Sequence, residues 1–280
     1  MTVVDAHVHV WTDDLTAYPL APGYTRGQMR PSTFPPEVLL AHARPCGVER
    51  IVLIQMSYYG FDNSYMLDVM AAHPGVFGGV AVIDHCAADV EAQMDRLLAR
   101  GVRGFRIQPA GRPAGEWLRA PGYGRLFAHA ATTGQAMCCL LNPDGLPDLA
   151  RMCETYPDTT VVIDHLARIG ISGEIVAAEV AALCALARYP QVHVKVSAFY
   201  ALGAKQPPYT DLLPVIDEVL AAYGAPRLMW ATDCPFQVQD ATYEASLALI
   251  RDHLRCTPGE REWLLGRTAE RVFFGDAGRD

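Results

Sequence analysis

The sequence predicts an α/β fold of the (β/α)8 type, a TIM barrel. A single domain over residues 1–280 is expected, with a long loop after the first strand and an extra helix at the C-terminal end. Three observations carry this expectation. Eight short apolar runs, rich in β-branched residues, alternate with eight helical patterns, as in a parallel sheet covered by helices. The helical patterns end at Gly47, Pro74, Gly101, Gly134, Pro157, Pro190 and Gly224, residues that stop helices. No glycine-rich phosphate loop follows an early strand, as a doubly wound open sheet, the structural alternative, would want. A chain of 280 residues, 51% of them hydrophobic, is ample for one large core, and barrels often run this long as one domain.

The elements follow in order. Thr2-Val3-Val4 reads as a short buried strand that runs out into Asp5-Ala6-His7-Val8-His9. Residues 12–36 are rich in Pro and Gly, but Trp11, Tyr18, Tyr24 and Met29 argue against a disordered linker, so the segment reads as a loop folded over one end of the body. The remaining strands are expected at residues 50–56, 76–83, 102–108, 135–141, 160–164, 192–197 and 227–232. Helices are expected at 37–44, 63–73, 87–100, 123–133, 146–156, 175–188, 211–223 and 243–254, with the extra one at 258–272.

Composition excludes several function classes. The formal net charge of −8 and the lack of a Lys/Arg stripe argue against nucleic acid as a partner. No N-terminal stretch resembles a signal peptide and no run approaches ~18 apolar residues, so a soluble, cytoplasmic protein with no membrane role is expected. The eight cysteines show no CxxC and no framework spacing, and read as reduced core thiols. A small-molecule substrate is the expected partner, and a homo-oligomer is left open.

In such a barrel the chemistry lies at the C-terminal ends of the strands. Those ends carry His7 and His9, Gln55, Arg106 and Gln108, Asn142, Asp164-His165, Lys195 and Ser197, and Thr232-Asp233. His7 and His9 are two apart in a strand, so they share a face and can chelate a metal. Each position also has an inert reading: Asp233 as a turn opener before Cys234-Pro235, His165 bonded to backbone, Lys195 snorkelling from a wet barrel mouth. Their convergence on one pole favours the functional reading for His7, His9, His165 and Asp233, and then for Arg106. His193 lies deeper and is read as structural. His42, His73, His85, His129 and His253 fall on helices or helix ends and are not candidates.

Asp5-Ala6-His7-Val8-His9-Val10-Trp11, Val161-Val162-Ile163-Asp164-His165 and Leu228-Met229-Trp230-Ala231-Thr232-Asp233-Cys234-Pro235 resemble the amidohydrolase superfamily. More closely, they resemble its metal-dependent branch of sugar-lactone and dicarboxylate-lactone hydrolases and related decarboxylases. Gly101-Val102-Arg103-Gly104-Phe105-Arg106 is similar to that branch's fourth-strand motif. The resemblance implies a metal site lined by His7, His9 and Asp233, with His165 as ligand or proton shuttle. One departure matters: Asn142 stands where many members carry a fifth-strand histidine, and Arg106 and Gln108 stand where a carboxylated lysine would be. A two-metal site is therefore not expected.

The expected activity is hydrolysis of a small anionic or polyhydroxylated lactone, with Asp233 and His165 catalytic. One divalent metal, Zn or Mn, would be held by His7, His9, Asp233 and His165, and metal-free operation stays open. Arg106 would grip a substrate carboxylate unless it pairs with Asp164 or Asp233 instead. Gln55, Lys195, Asn142, Gln108, Trp11 and Tyr58 would complete the substrate site, with Tyr59 and Tyr200 in its wall. The competing readings are a non-oxidative decarboxylase, a cyclic amide hydrolase, and a catalytically dead barrel that only binds.

Overall fold

The structure, a computed structural model, describes residues 2–108 and 117–275. Eight parallel strands follow one another in chain order: β1 (Val3–Val8), β2 (Val48–Ile54), β3 (Phe77–Ala81), β4 (Val102–Ile107), β5 (Ala136–Cys139), β6 (Val161–Ile163), β7 (Val192–Ser197) and β8 (Leu228–Ala231). The sheet curls until β8 meets β1, where Val8 bridges Cys234. There the His9 amide donates to the Cys234 carbonyl at 2.8 Å and the Asp233 amide to the His7 carbonyl at 2.9 Å. This is the (β/α)8 barrel that the alternation predicts.

The helices are α1 (Pro36–Ala43), α2 (Ser64–Ala72), α3 (Val90–Ala99), α4 (Pro121–Thr133), α5 (Leu146–Thr155), α6 (Ala177–Ala185), α7 (Leu213–Tyr223), the short α8 (Gln237–Asp240), α9 (Tyr243–Ala248), α10 (Pro258–Glu262) and α11 (Thr268–Phe273). Two expectations change in detail. The helix expected at 243–254 gives way after Ala248 to a wide π turn, Leu249–His253. The extra helix expected at 258–272 is α10 and α11 joined by a second π turn, Trp263–Arg267. That turn lies against the start of β1, where a Cβ on Gly266 would stand 2.0 Å from the Thr2 carbonyl oxygen. Only glycine lets the two backbones approach so closely.

Two packed layers result. An outer layer between strands and helices takes Ile51, Leu53, Val194, Val196 and Trp230. The barrel interior takes Val4, Ala6, Val52, Val80, Ala136, Cys138, Val162, Met229 and Ala231, and Phe273 from α11 packs among them as a plug. The period-two alternation holds along most strands but breaks in β1. Val4 and Ala6 belong to the interior and Val8 to the outer layer, with a register shift between Asp5 and Val8. Asp5 therefore leaves the interior and faces α9, although it stands two residues before His7. The segment after β1 folds back as expected: Trp11 and Phe34 form an antiparallel bridge, and the Ala21 amide donates to the Tyr58 carbonyl at 2.8 Å.

Candidate active site

Three strands end on residues with left-handed backbone. His165 after β6 has φ +56°, Ala198 after β7 has φ +57°, and Asp233 after β8 has φ +64°. All three line the same cavity. Such backbone costs about 1–2 kcal/mol per non-glycine residue and persists where the surroundings over-determine it, often at functional sites. After β6 the left-handed run continues through Leu166, Ala167 and Arg168, at φ +51°, +54° and +59°. This turn aims both His165 and Arg168 at the cavity.

Asp5 fixes β1 against β8. Its carboxylate accepts from the Thr232 amide at 3.0 Å, the Thr232 hydroxyl at 2.5 Å, the Tyr243 hydroxyl at 2.6 Å and the His7 amide at 3.1 Å. Burial pushes its pKa up to about 6, and the four donors limit the rise. The carboxylate thus holds the residues immediately before Asp233 and the backbone of His7 in one place.

The structure brings His7, His9, His165 and Asp233 together. Asp233 Oδ1 lies 3.3 Å from His9 Nε2 and 3.5 Å from His7 Nε2, and Oδ2 lies 3.9 Å from His165 Nε2. Each outer histidine is oriented from behind: His9 Nδ1 meets the Ile54 carbonyl at 2.9 Å, and His165 Nδ1 meets the Ser197 hydroxyl at 2.9 Å. A carbonyl accepts only, so His9 donates its Nδ1–H to Ile54 and turns Nε2 toward Asp233. Burial, and then Lys195, hold the His7 pKa well below its usual range, and burial lowers His165 to about 4. Burial works to raise the Asp233 carboxyl, but the imidazoles facing it, His165 first, outweigh burial and hold it below the usual carboxylate range. At neutral pH the Asp233 carboxylate is ionised and the His7 and His165 rings are neutral.

Beneath this group lies a buried ionic layer. Lys195 Nζ stands 3.1 Å from Asp164 Oδ1 and 3.1 Å from His7 Nδ1. Arg106 Nη1 is 3.6 Å from Asp164 Oδ2 and donates to His7 Nε2 at 3.0 Å. Burial would raise the Asp164 pKa, but Lys195 and Arg106 outweigh it and hold it well below the ordinary value. The expectation of Lys195 as a substrate ligand is corrected here. It is fully buried, because it lies two residues before the end of β7 and so one layer below the mouth. Arg106 takes the alternative partner named for it, Asp164, while its side chain also lines the cavity.

Above the group opens a cavity of about 860 Å³. Gln55, Gln108, Arg106, His9, His165 and Asp233 line it, and Tyr59 and Tyr200 stand in its wall. Besides Lys195, three expected substrate residues do not reach it. Asn142 is exposed, since β5 ends at Cys139 and Leu140 takes the place on the cavity wall. Trp11 is fully buried behind the wall, 6.2 Å from the Phe236 ring that does line it. Tyr58 is buried, with its hydroxyl donating to the Gln28 carbonyl at 3.1 Å, and it stands 5.7 Å behind Tyr24, which lines the cavity. Arg168 was missed by sequence reading. It lines the cavity, and among the described residues no hydrogen bond or ion pair of its side chain is found.

The donors fit one divalent cation. Ligand atoms of His7, His165 and Asp233 lie within 4.8 Å of one another, and His9 Nε2 faces the same carboxylate. Asp233 Oδ1 is buried and has no hydrogen-bond partner among the described residues, the condition of an oxygen built to ligate or to take a proton. Neutral imidazole and carboxylate suit zinc or manganese. His7 departs from the simple picture, because Arg106 already occupies its Nε2.

Comparison with known proteins places the chain. It is 28% identical over 237 residues to an L-fucono-1,5-lactonase of Burkholderia ambifaria, covering 83% of this chain and 80% of the relative. It is also 28% identical over 246 residues to a 2-pyrone-4,6-dicarboxylate hydrolase of Comamonas testosteroni, covering 83% and 76%. Among solved structures, a Burkholderia multivorans amidohydrolase crystallised with zinc has a TM-score of 0.83 at 21% identity, covering 98% of this chain and 99% of that one, and shows the shared fold. A family model for amidohydrolases matches residues 4–275, nearly the whole length, and the chain belongs to the amidohydrolase family.

Proposed function

We propose that the protein hydrolyses a small lactone, with Asp233 as the base that activates water. The observation that carries this reading is Asp233 Oδ1: ionised, buried, without a hydrogen-bond partner among the described residues, and placed at the floor of the cavity. A water held there gives its proton to Asp233 while its oxygen bonds to the lactone carbonyl carbon. The charge that develops on the carbonyl oxygen is met by Arg106 and the His165 ring. The ring C–O bond then breaks, and Asp233 returns the proton to the departing alkoxide, leaving an open-chain hydroxy acid. The names of both curated relatives, each a lactone hydrolase, support this class.

A divalent cation, zinc or manganese, held by His9, His165, Asp233 and His7, would supply Lewis acidity and lower the pKa of bound water. Arg106 and Arg168, which has no ion pair among the described residues, favour an anionic substrate, because a guanidinium grips a carboxylate with two parallel hydrogen bonds. No described helix is long and apolar enough to cross a membrane. All eight cysteines are free, which suits the reducing cytoplasm as the place of work.

The test is a screen of sugar lactones and carboxylated lactones, followed by proton release, with and without added Zn²⁺ or Mn²⁺ and after chelation. Turnover of at least one lactone is expected. Asp233→Asn should lower it by ~10²-fold or more while metal content and the far-ultraviolet spectrum are recorded alongside. Turnover in Asp233→Asn close to that of the parent overturns the assignment of the base.

A further inference from the structure

We infer that the outer half of the cavity is a hydrophobic subsite for an alkyl or aryl substituent on the lactone, so that the substrate is amphipathic rather than a bare ring. The inference rests on the lactone-hydrolase reading above and adds the substrate's other end. The first observation is size. Cavities of roughly 300–1000 Å³ take ligands of drug size, and this one holds about 860 Å³, far more than a single small ring fills.

The second is the distribution of chemistry within it. The polar groups His9, His165, Asp233, Arg106 and Gln108 all come from strand ends and form the floor. Apolar groups of the wall above come from several loops: Leu20, Pro22 and Tyr24 from the segment after β1, Phe61 from the loop after β2, and Ile171 from the loop after β6, with Asp62 and Arg168 as the charged groups beside them.

The third is exposure. Tyr24, Val38, Phe61, Ile171 and Val176 are the exposed large hydrophobic residues among those described, and Tyr24, Phe61 and Ile171 converge on this one cavity. Scattered exposed apolar residues need no explanation, whereas a cluster at the mouth of a catalytic cavity marks a binding surface. Phe61, at 58% exposure, gains most by being covered. The wall is also held in place. The Ala21 amide is bonded to the Tyr58 carbonyl, and the Thr12 amide to the Tyr59 hydroxyl at 3.0 Å, so the apolar surface stands open without collapsing onto itself. Continuity with the catalytic floor decides the occupant: whatever covers this surface is reached directly from a ring seated over Asp233.

The experiment uses γ-lactone carboxylates that differ only in the group on the carbon beside the ring oxygen: hydrogen, butyl, octyl or phenyl. With the parent protein, kcat/KM is expected to rise with chain length by up to about fourfold per added methylene, since a buried methylene is worth about 0.8 kcal/mol. The gain should appear in KM more than in kcat, because the substituent is bound alike in the ground and transition states. Phe61→Ser changes an exposed side chain, so the fold should survive. Its deficit relative to the parent should grow from the unsubstituted to the octyl lactone. Turnover of the unsubstituted lactone with no gain from butyl, octyl or phenyl overturns the subsite and leaves the hydrolase reading intact. A Phe61→Ser deficit that is the same for every member also overturns it. No turnover of any member by folded, metal-supplemented protein overturns both readings.

Discussion

The Tyr200 hydroxyl donates a hydrogen bond to Asp233 Oδ2 at 2.6 Å, while Asp233 Oδ1 has no such donor among the described residues. The two carboxylate oxygens therefore have different work: one is anchored, the other is left to act. Burial, and then the Asp233 charge beside it, raise the Tyr200 pKa far above the usual phenol value, so the hydroxyl stays a donor at any working pH. A hydrogen bond to a charged group is worth about 1.5–3 kcal/mol. Tyr200→Phe keeps the ring and removes the anchor, so kcat for lactone opening should fall by roughly 10- to 100-fold. KM should change much less. A kcat within a factor of about two of the parent would show that Asp233 is held in place by its other neighbours alone.

The Lys195–Asp164 pair, 3.1 Å apart with both side chains fully buried, makes a prediction about stability. Removing one partner of a buried pair costs about 3–5 kcal/mol when the other charge is left alone. Arg106 still faces Asp164 at 3.6 Å, so Lys195→Met should cost less than that, about 1–3 kcal/mol in urea unfolding. Lys195→Met combined with Asp164→Asn should recover part of the loss, because the under-compensated buried carboxylate is gone. Equal losses in the single and double variants would mean that packing volume, not charge, sets the cost.

Arg168 is the cation best placed to report on substrate charge. Unlike Arg106, which is engaged by His7 and Asp164, its side chain has no hydrogen bond or ion pair among the described residues. Arg168→Gln should therefore leave the buried network alone and raise KM for a carboxylated lactone about 10-fold more than for its neutral analogue. The same rise for both substrates would remove Arg168 from carboxylate recognition.

Arg168 also shows where sequence reading stops. Strand order, helix order and the meeting of His7, His9, His165 and Asp233 were legible, because apolar runs and their polar ends are local patterns. The turn that carries Arg168 was not. Its left-handed residues are His165, Leu166, Ala167 and Arg168, with no glycine or asparagine to announce positive φ. Lys195 shows a second limit. Its parity with His193 and Ser197 gave the correct face of β7, but parity says nothing about depth, and one layer separates a substrate ligand from a buried ion pair. Asn142 shows a third. Cys139-Leu140-Leu141 reads as strand by composition, yet the strand ends at Cys139, so the expected strand-end residue was displaced out of the cavity. Asp5 needed the register shift in β1 to be seen at all.

His193 gives a pH test that lies away from the catalytic group. It sits at the start of β7, buried, with Nδ1 meeting the Gln191 carbonyl at 3.1 Å and with Arg271 and Arg227 as its charged neighbours. Burial, and then the Arg271 charge, lower its pKa from 6.5 to about 4. Between pH 6.5 and pH 4 the unfolded chain binds a proton there that the native protein does not. Native stability therefore falls as the pH drops through that window, by up to about 3 kcal/mol from this residue alone. His165, also lowered to about 4, acts in the same direction. Asp5, raised to about 6, acts in the opposite direction, since the native protein keeps a proton that the unfolded chain releases above pH 3.8. The total slope mixes these signs, so the informative quantity is a difference. His193→Asn removes one titrating group and keeps a side chain able to donate to the Gln191 carbonyl. Measured by urea unfolding at pH 7, 5.5 and 4.5, the variant should gain on the parent steadily as the pH falls. A constant difference across the three pH values would show that His193 is protonated alike in the folded and unfolded chain.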